Sequence, residues 1–332
     1  MKNVIHKICK DNPFLESAVS QAYDMTEHSI FDDIHNLNVL NVTHADLDGA
    51  VSAIVVRNVY DHCRTVPSNY GGGDFQAGLD AIAANDYDAV IFTDFAPSDP
   101  TVYSALQATG KPYLVIDHHQ TAVVRKDDPR GTYVIDTSRC GALLSLDYFS
   151  RYKDLEYLRS LCVVTNDHDL WIRKIVPLSD DLNNLMFELT FPVFVEKYIH
   201  GLNDGDLFDD DKELMKNHAQ QVADYVATCP HHALPYNGFY IECDKYNSDI
   251  NVMYGDKYDW LVMAGDMPTG EKKLSFRTSR KDINIGQTLK AMGRGGGGHP
   301  GAGGQILPAE ESDAFINQFA ERIFGKGEFH EG

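Results

Sequence analysis

Four short runs of apolar and β-branched residues mark the first half of the chain, at residues 37–44, 88–94, 111–119 and 132–136. The stretches between them place apolar residues at helical spacing, as in "GAVSAIVVRNVYDHC". Buried strands that alternate with helices are typical of a parallel sheet that helices cover on both faces. We therefore predict an α/β domain with such a sheet over residues 37–190.

Three further segments are predicted around this domain. Residues 1–36 carry apolar residues at helical spacing and predict a helical N-terminal extension. The sequence leaves open whether this extension covers the site or forms a homodimer contact. Residues 191–234 are helical in pattern and contain the acidic stretch "NDGDLFDDDKE", so we expect a solvated linker or the start of a helix there. Residues 235–332 return to strand-like segments and predict a smaller α/β domain.

Composition and charge limit the classes of function. The chain has 332 residues, of which 43% are hydrophobic, and it shows neither an apolar run of membrane-spanning length nor the apolar core of a signal peptide. The six cysteines are scattered without C-x-x-C spacing, so we expect reduced thiols. We therefore expect a cytoplasmic protein with no membrane partner. The net charge of -20 argues against binding to long duplex nucleic acid, which draws on many Lys and Arg contacts to phosphates.

Acidic and histidine side chains follow three consecutive predicted strands. They are His44, Asp46 and Asp48 in "VTHADLDG", Asp94 in "IFTDF", and Asp117, His118 and His119 in "VIDHHQT". A single aspartate at a strand end is commonly a helix cap or a turn residue, but that explanation does not account for three such ends in a row. In parallel α/β sheets, ligands bind outside the carboxyl ends of the strands, so we expect these side chains to converge. Oxygen and imidazole ligands suit Mn²⁺, Mg²⁺ or Fe²⁺.

Two further motifs complete an ordered set, namely "NDHDLW" at residues 166–171 and the glycine-rich "GRGGGGHPGAGG" at residues 293–304. Together with the strand ends, they resemble the motifs of the DHH phosphoesterase superfamily and of its C-terminal DHH-associated domain, over about residues 39–306. The "DLDG" and "NDHDLW" forms are similar to those of members that act on short oligonucleotides, the oligoribonuclease (nanoRNase) type. Type II pyrophosphatases share the first domain, but the glycine-rich segment with its histidine favours the nucleotidase branch.

The resemblance implies a site for two divalent ions, most often Mn²⁺, with Asp94 as the bridging ligand. The implied ligands are His44, Asp46 and Asp94 for one ion, and Asp48, Asp94, His118 and Asp167 for the other. From the residues alone, the fourth motif offers either Asp167 or Asp169, because side chains two positions apart on a helix are well separated. The alignment of the motif favours Asp167.

The resemblance also implies roles for residues around the ions. His119 is expected to face the substrate, where it stabilises phosphate charge or helps to protonate the leaving oxygen. Asp117 is expected to orient an imidazole through a ring N–H group. The expected catalytic residues are therefore Asp94, Asp117 and His119.

The glycine-rich segment and the residues before it predict an anion site in the second domain. Glycine permits close approach of the backbone to an anion, and this run is neither a P-loop nor a dinucleotide fingerprint. Residues 271–294 hold two acidic residues against a larger group of basic ones, which are Lys272, Lys273, Arg277, Arg280, Lys281, Lys290 and Arg294. The resemblance implies substrate contacts, across a cleft from the metals, by Arg277, Gly296, Gly297, Gly298 and His299.

These observations predict a two-metal phosphodiesterase that hydrolyses short oligonucleotides or dinucleotides to nucleoside monophosphates, in the manner of an exonuclease. Hydrolysis of cyclic dinucleotides, phosphatase action on pAp and RecJ-type single-strand exonuclease action are the alternatives within the enzyme class. A nucleotide sensor without turnover is the alternative outside it, although every expected ligand position holds a competent residue. Tyr70, Phe95 and Trp171 lie near the predicted loops; a core position is favoured for each, and stacking on a base is the alternative.

Overall fold

The computed structural model describes residues 30–69, 72–119, 122–125 and 127–325. The chain divides into two compact units, Met1–Met215 and Lys216–Gly332. Most of the predicted N-terminal extension therefore lies outside the described residues. Its last part includes a short 3-10 helix at Ile30–Asp32, from which Phe31 is buried in the core of the first unit.

A five-stranded sheet forms the centre of the first unit, in the order β2-β1-β3-β4-β5. Its strands are β1 (Asn38–His44), β2 (His62–Ser68), β3 (Ala89–Thr93), β4 (Tyr113–Asp117) and β5 (Gly131–Ile135). All neighbouring pairs in this sheet are parallel, so the carboxyl ends of the strands share one edge. The predicted parallel α/β fold is confirmed.

Helices cover both faces of this sheet. They are α1 (Leu47–Val59), α2 (Gly72–Ala84), α3 (Pro100–Thr109), α4 (Gly141–Phe149), α5 (Arg159–Asp169), α6 (Leu178–Leu189) and α7 (Phe191–Lys197). Successive residues of a strand point to opposite faces, so Ile91 packs in the cluster that includes α1, α4 and α5, whereas Val90 and Phe92 pack with α2 and α3. Two apolar layers thus enclose the central strands.

The sequence pattern does not predict β2, which lies at the edge of the sheet. Most of its residues are only partly buried, and it contains Pro67. An edge strand needs no continuous apolar run and tolerates proline, because one of its sides forms no sheet hydrogen bonds. The segment "HCRTVPS" therefore carries too weak a pattern to be recognised as a strand.

A six-stranded sheet forms the centre of the second unit, in the order β10-β11-β9-β8-β7-β6. Its strands are β6 (His231–Leu234), β7 (Gly238–Glu242), β8 (Trp260–Asp266), β9 (Glu271–Arg277), β10 (Gly297–His299) and β11 (Ala302–Pro308). Its helices are α9 (Asn247–Tyr254), α10 (Ile285–Ala291) and α11 (Ser312–Phe324). The predicted smaller C-terminal α/β domain is confirmed. Among the described residues of both units, no helix combines the length and the apolar character needed to cross a membrane.

The glycine-rich segment is a β-hairpin of β10 and β11 rather than a loop. A Cβ atom on Gly298 would lie 2.3 Å from the carbonyl oxygen of Ala302, and one on Gly303 would lie 2.7 Å from the side chain of Leu289 in α10. These two glycines allow the hairpin to pack closely, which is a structural role. Gly297 differs, because no atom lies within 4 Å of the Cβ position there and a ligand has room to approach its backbone.

The predicted linker, residues 191–234, packs differently from the expectation. In α7, Phe194 is fully buried and its ring stacks on that of Tyr198, with 4.8 Å between the centroids. Tyr198 donates a hydrogen bond from its hydroxyl to Asp211, which is buried although it lies in the acidic stretch. This part of the segment therefore belongs to the first core. Helix α8 (Asp209–Thr228) then crosses the boundary between the units.

The burial of α7 predicts a large difference between two neighbouring substitutions. Phe194→Ala removes a fully buried ring and should lower the free energy of unfolding of the first unit by about 3–5 kcal/mol. Val193→Ala changes a side chain of the same helix that is 50% exposed, and should alter it by about 0.5 kcal/mol or less. Urea unfolding followed by circular dichroism measures both. Equal, small effects would show that residues 191–198 are not part of the core.

Candidate metal centre

The carboxyl edge of the first sheet gathers side chains from β1, β3 and β4. Asp94 follows β3 directly, His44 ends β1, and His118 follows β4. The Nε2 atom of His118 lies 3.2 Å from Oδ1 of Asp94, and the Nδ1 atom of His44 lies 3.7 Å from Oδ2 of the same residue. The ends of the three strands therefore converge on Asp94.

Asp94 is almost fully buried, with an exposed fraction of 1%. Its backbone is left-handed, with φ of 51°, and its N–H group donates to the carbonyl oxygen of Ile116 at 2.9 Å. Neither carboxyl oxygen has a hydrogen-bond partner among the described residues. Burial and the nearby Asp48 carboxylate raise the pKa of Asp94 well above its usual range. A buried carboxyl group in this state requires a proton or a cation.

Asp46 is fixed by the turn that begins helix α1. Its Oδ1 atom accepts the N–H group of Gly49 at 3.0 Å, which makes Asp46 the N-cap of the helix. Its Oδ2 atom lies 2.6 Å from Nδ1 of His44. A Cβ atom on Gly49 would lie 1.9 Å from the carbonyl oxygen of His44, so only glycine permits this turn. The "DLDG" motif is therefore a structural requirement as well as a source of ligands.

Asp48 is held by the amino end of helix α4. Its two carboxylate oxygens accept the N–H groups of Gly141 at 2.6 Å and of Ala142 at 2.8 Å. The positive end of the helix dipole stabilises a negative charge at this position. A Cβ atom on Gly141 would lie 2.8 Å from Cβ of Asp94, so this glycine lets α4 approach the centre. The sequence analysis did not identify Gly141, and its role depends on a contact between distant segments.

His118 and Asp169 complete the cluster. The Nε2 atom of His118 lies 3.4 Å from Oδ2 of Asp169 and 3.6 Å from Oδ2 of Asp48. Burial lowers the pKa of His118, whereas burial and the Asp48 carboxylate raise the pKa of Asp169 well above its usual range. Among the described residues, neither His118 Nε2 nor Asp169 Oδ2 has a hydrogen-bond partner.

Asp167, which the alignment of the fourth motif favours as a ligand, does not join this cluster. Its Oδ1 atom accepts the N–H group of Lys174 at 2.7 Å, and its Oδ2 atom accepts that of Ile175 at 3.0 Å. Side chains two positions apart on a helix point about 200° away from each other. Helix α5 extends through Asp169, so only one of the two aspartates can face the centre. Asp169, rather than Asp167, therefore lies in the cluster.

Asp117, the last residue of β4, organises the two histidines that follow it. Its Oδ1 atom accepts the backbone N–H group of His118 at 2.8 Å and lies 2.7 Å from Nδ1 of His119. This hydrogen bond raises the pKa of the His119 imidazole. Asp117 thus has the geometry of a residue that orients an imidazole, and the imidazole in question is that of His119.

Three overlapping groups of these side chains fit a metal ion, since the ligand atoms within each group lie within 4.8 Å of one another. The groups are Asp94, His118 and His119; His44, Asp46 and Asp94; and Asp48, His118 and Asp169. Carboxylate oxygens and imidazole nitrogens are suitable ligands for Mn²⁺. Buried polar atoms without hydrogen-bond partners recur in these groups, which is expected of atoms that coordinate a metal.

In the second unit, Arg277 is a half-buried cation at the end of β9. Burial lowers the pKa of its guanidinium group, and no acidic side chain among the described residues offsets this. Its Nη1 atom donates to the carbonyl oxygen of Phe276 at 2.8 Å. The register places Arg277 opposite Ala302 of β11, which pairs in turn with His299 of β10. Two of the expected substrate residues therefore lie on one row of the sheet.

The chain is similar to known proteins in sequence and in structure. Residues 242–326 match the DHHA1 domain. Oligoribonuclease NrnB of Bacillus subtilis (strain 168) is 26% identical over 302 residues, which cover 82% of this chain and 74% of NrnB. The pGpG-specific phosphodiesterase PggH of Vibrio cholerae has a similar structure, with a TM-score of 0.57 at 16% identity, covering 87% of this chain and all of PggH.

These matches support the resemblance of the chain to the DHH phosphoesterase superfamily. RecJ of Thermus thermophilus, solved in complex with Mn²⁺, shares the fold as well, with a TM-score of 0.52 at 12% identity over 86% of this chain and 52% of RecJ. The resemblance inferred from the sequence motifs is therefore confirmed. The residues that correspond to the name of the superfamily are Asp117, His118 and His119.

The three aromatic residues considered above for stacking on a base differ in their exposure. Phe95 is buried, with an exposed fraction of 2%, and packs in the core of the first unit. Tyr70 lies outside the described residues. Trp171 is 49% exposed, so the interpretation as a core residue is wrong for it.

The two aspartates of the fourth motif predict a matched pair of variants. Asp169→Asn should weaken Mn²⁺ binding by more than about tenfold, because it removes a charged oxygen from the cluster. Asp167→Asn should leave Mn²⁺ affinity nearly unchanged but lower the free energy of unfolding by about 1–3 kcal/mol, because one buried N–H group loses its acceptor. Calorimetric titration with Mn²⁺ and urea unfolding measure the two effects. The reverse result would restore Asp167 as the ligand.

Proposed function

We propose that this DHH phosphoesterase hydrolyses short oligonucleotides and dinucleotides to nucleoside monophosphates. The observation that carries the proposal is the buried cluster of carboxyl and imidazole groups around Asp94, whose oxygens have no hydrogen-bond partner among the described residues. The comparisons support a short, linear substrate, because NrnB is named an oligoribonuclease and PggH a pGpG-specific phosphodiesterase.

Two divalent cations, Mn²⁺ above all, fit the donor atoms of the centre. One ion would be held by His44, Asp46 and Asp94, and the other by Asp48, His118 and Asp169, together with Asp94, which lies 3.2 Å from Nε2 of His118. When bound, such cations lower the pKa of water and stabilise the negative charge of phosphoryl oxygens. The carboxylates of the centre would then be neutralised by the ions instead of by protons.

His119 is proposed to contact the phosphate of the substrate. Asp117 holds its imidazole through Nδ1 and raises its pKa, which favours the protonated form. A protonated imidazole donates a hydrogen bond to a phosphoryl oxygen and can supply a proton to the leaving oxygen. Asp117 therefore acts by positioning His119.

Arg277 is proposed to bind a further phosphate group of the substrate. A guanidinium group can donate two parallel hydrogen bonds to a phosphate, and burial without an acidic neighbour makes that interaction stronger. Among the expected glycines, Gly297 has the open space that an approaching anion requires. Gly296 and Gly298 are closely packed against Gln305 and Ala302, so a side chain at either position would also change the local shape of this segment.

The charge distribution supports a preference for short substrates. A net charge of -20 repels a long polyanion, whereas a dinucleotide needs only local positive charge. Three basic residues of the segment have acidic partners: Lys272 lies 2.8 Å from Glu242, Arg280 lies 2.5 Å from Asp282, and Arg294 forms a salt bridge with Glu311. No acidic side chain among the described residues neutralises Arg277 at the end of β9.

Substrate length is tested by turnover in Mn²⁺ of an RNA dinucleotide, a 24-residue RNA, a cyclic dinucleotide and pAp. We expect rapid release of nucleoside monophosphates from the dinucleotide and little from the 24-residue RNA, because a long polyanion is repelled. Faster turnover of the cyclic dinucleotide or of pAp would assign the same centre to that substrate. Comparable degradation of the long RNA would indicate a RecJ-type exonuclease, and absence of all turnover would indicate a nucleotide sensor.

Two arginines of the second unit test the phosphate contact. Arg277→Ala should raise KM for the dinucleotide by about 10-fold or more, because a charge-assisted contact is lost. Arg280→Ala removes a cation that is already paired with Asp282 and is partly exposed, and should change KM by less than about twofold. Steady-state kinetics of the two variants beside the unmodified protein measures the difference. Equal KM values would remove Arg277 from the substrate site.

A further inference from the structure

Asp167 holds the segment after helix α5 in an uncommon backbone conformation. Trp171 and Arg173 are both left-handed, with φ of 53° and 60°. The carbonyl oxygen of Asp167 accepts the N–H group of Ile172 at 3.0 Å, and its carboxylate accepts the two further N–H groups described above. Bulky residues rarely adopt left-handed angles, and such conformations cluster at functional sites.

Two polar side chains flank the indole ring of Trp171. The imidazole of His168 is nearly parallel to it, with 6.5 Å between the ring centroids and an interplanar angle of 28°. The guanidinium carbon of Arg173 lies 5.2 Å from the centroid of the indole. Asp180 connects both neighbours, since it lies 3.2 Å from Nδ1 of His168 and forms a salt bridge with Arg173. The indole is thus positioned by polar contacts rather than by burial.

The position of this exposed ring is informative. Trp171 follows Asp169 by two residues, which corresponds to about 7 Å along the chain, and Asp169 belongs to the metal cluster. An exposed indole ring does not contribute the large hydrophobic free energy that a buried tryptophan contributes to stability. The chain nevertheless fixes this ring in an unfavourable backbone conformation, with half of its surface accessible, two residues after Asp169 of the proposed centre of phosphodiester hydrolysis.

We infer that Trp171 stacks on a nucleobase adjacent to the bond that is cleaved. The inference rests on the proposed phosphodiesterase function and adds a residue that determines specificity. Aromatic rings stack on every base, so this contact selects nucleotides over simple phosphodiesters without selecting one base. The polar frame of His168, Arg173 and Asp180 holds the ring in place before the substrate arrives, which reduces the entropy cost of binding.

The test compares Trp171→Ala, Trp171→Phe and the control Phe187→Ala on three RNA dinucleotides. One is intact, and in each of the other two the base on one side of the linkage is replaced by an abasic sugar. Phe187 is a suitable control because it is a 60% exposed aromatic residue of α6. Mn²⁺ affinity of each variant is measured as well, so that damage to Asp169 is recognised.

Trp171→Ala should raise KM for the intact dinucleotide by about 5- to 100-fold and leave KM for one abasic isomer unchanged. Trp171→Phe should restore most of the affinity, and Phe187→Ala should have no effect. If Trp171→Ala affects the intact dinucleotide and both abasic isomers equally, or lowers only kcat or Mn²⁺ affinity, the stacking role is wrong. An unchanged KM with normal turnover also overturns it, while leaving the proposed function intact.

Absence of turnover by the unmodified protein would instead contradict the proposed function, and a binding measurement then decides the role of Trp171. The chain has two tryptophans, and Trp260 is buried, so stacking on Trp171 should quench the fluorescence when the intact dinucleotide is added. Quenching that disappears in Trp171→Phe supports the inference. A dinucleotide that binds without quenching, or does not bind, overturns it.

Discussion

The burial of several carboxyl groups in one place is the constraint on which the rest of this structure depends. Asp48, Asp94 and Asp169 lie around His118, and burial together with mutual repulsion raises the pKa of both Asp94 and Asp169. Burial also lowers the pKa of His118, so that imidazole does not supply the missing positive charge. A divalent cation would satisfy all of these groups at once, and it would offset the cost of burying them together.

The backbone supports this centre from several sides. Helix α4 offers two N–H groups to Asp48, helix α1 is capped by Asp46, and Asp117 holds the imidazole of His119. Asp94 itself is left-handed, and Gly141 leaves the space that brings α4 against it. The ligand atoms are thus positioned before a metal binds, so that little conformational freedom is lost on binding.

The groups proposed to contact the substrate differ from the metal centre, because part of their binding capacity is left unused by the protein. Arg277 has no acidic partner among the described residues, and the ring of Trp171 is only half buried. A phosphate and a base of a nucleotide provide the corresponding partners, and both are present in a dinucleotide. An acidic chain with these groups would bind a short anionic substrate and repel long polyanions, as proposed above.

The sequence by itself determined the parallel sheet, and with it the convergence of His44, Asp94 and His118, because strand periodicity is a local pattern and parallel strands share one edge. Contacts between distant segments decided the rest. The rotation of α5 places Asp169, rather than Asp167, in the cluster, and the packing of α4 requires Gly141. Strand β2 lies at the edge of the sheet and is only partly buried, so its sequence lacks the apolar pattern of a central strand. The glycine-rich segment likewise becomes a hairpin only through its pairing with β9. The apolar periodicity that predicts strands and helices is a property of neighbouring residues. Which of two nearby side chains, such as Asp167 and Asp169, joins the site depends on how the tertiary structure orients the helix that carries them.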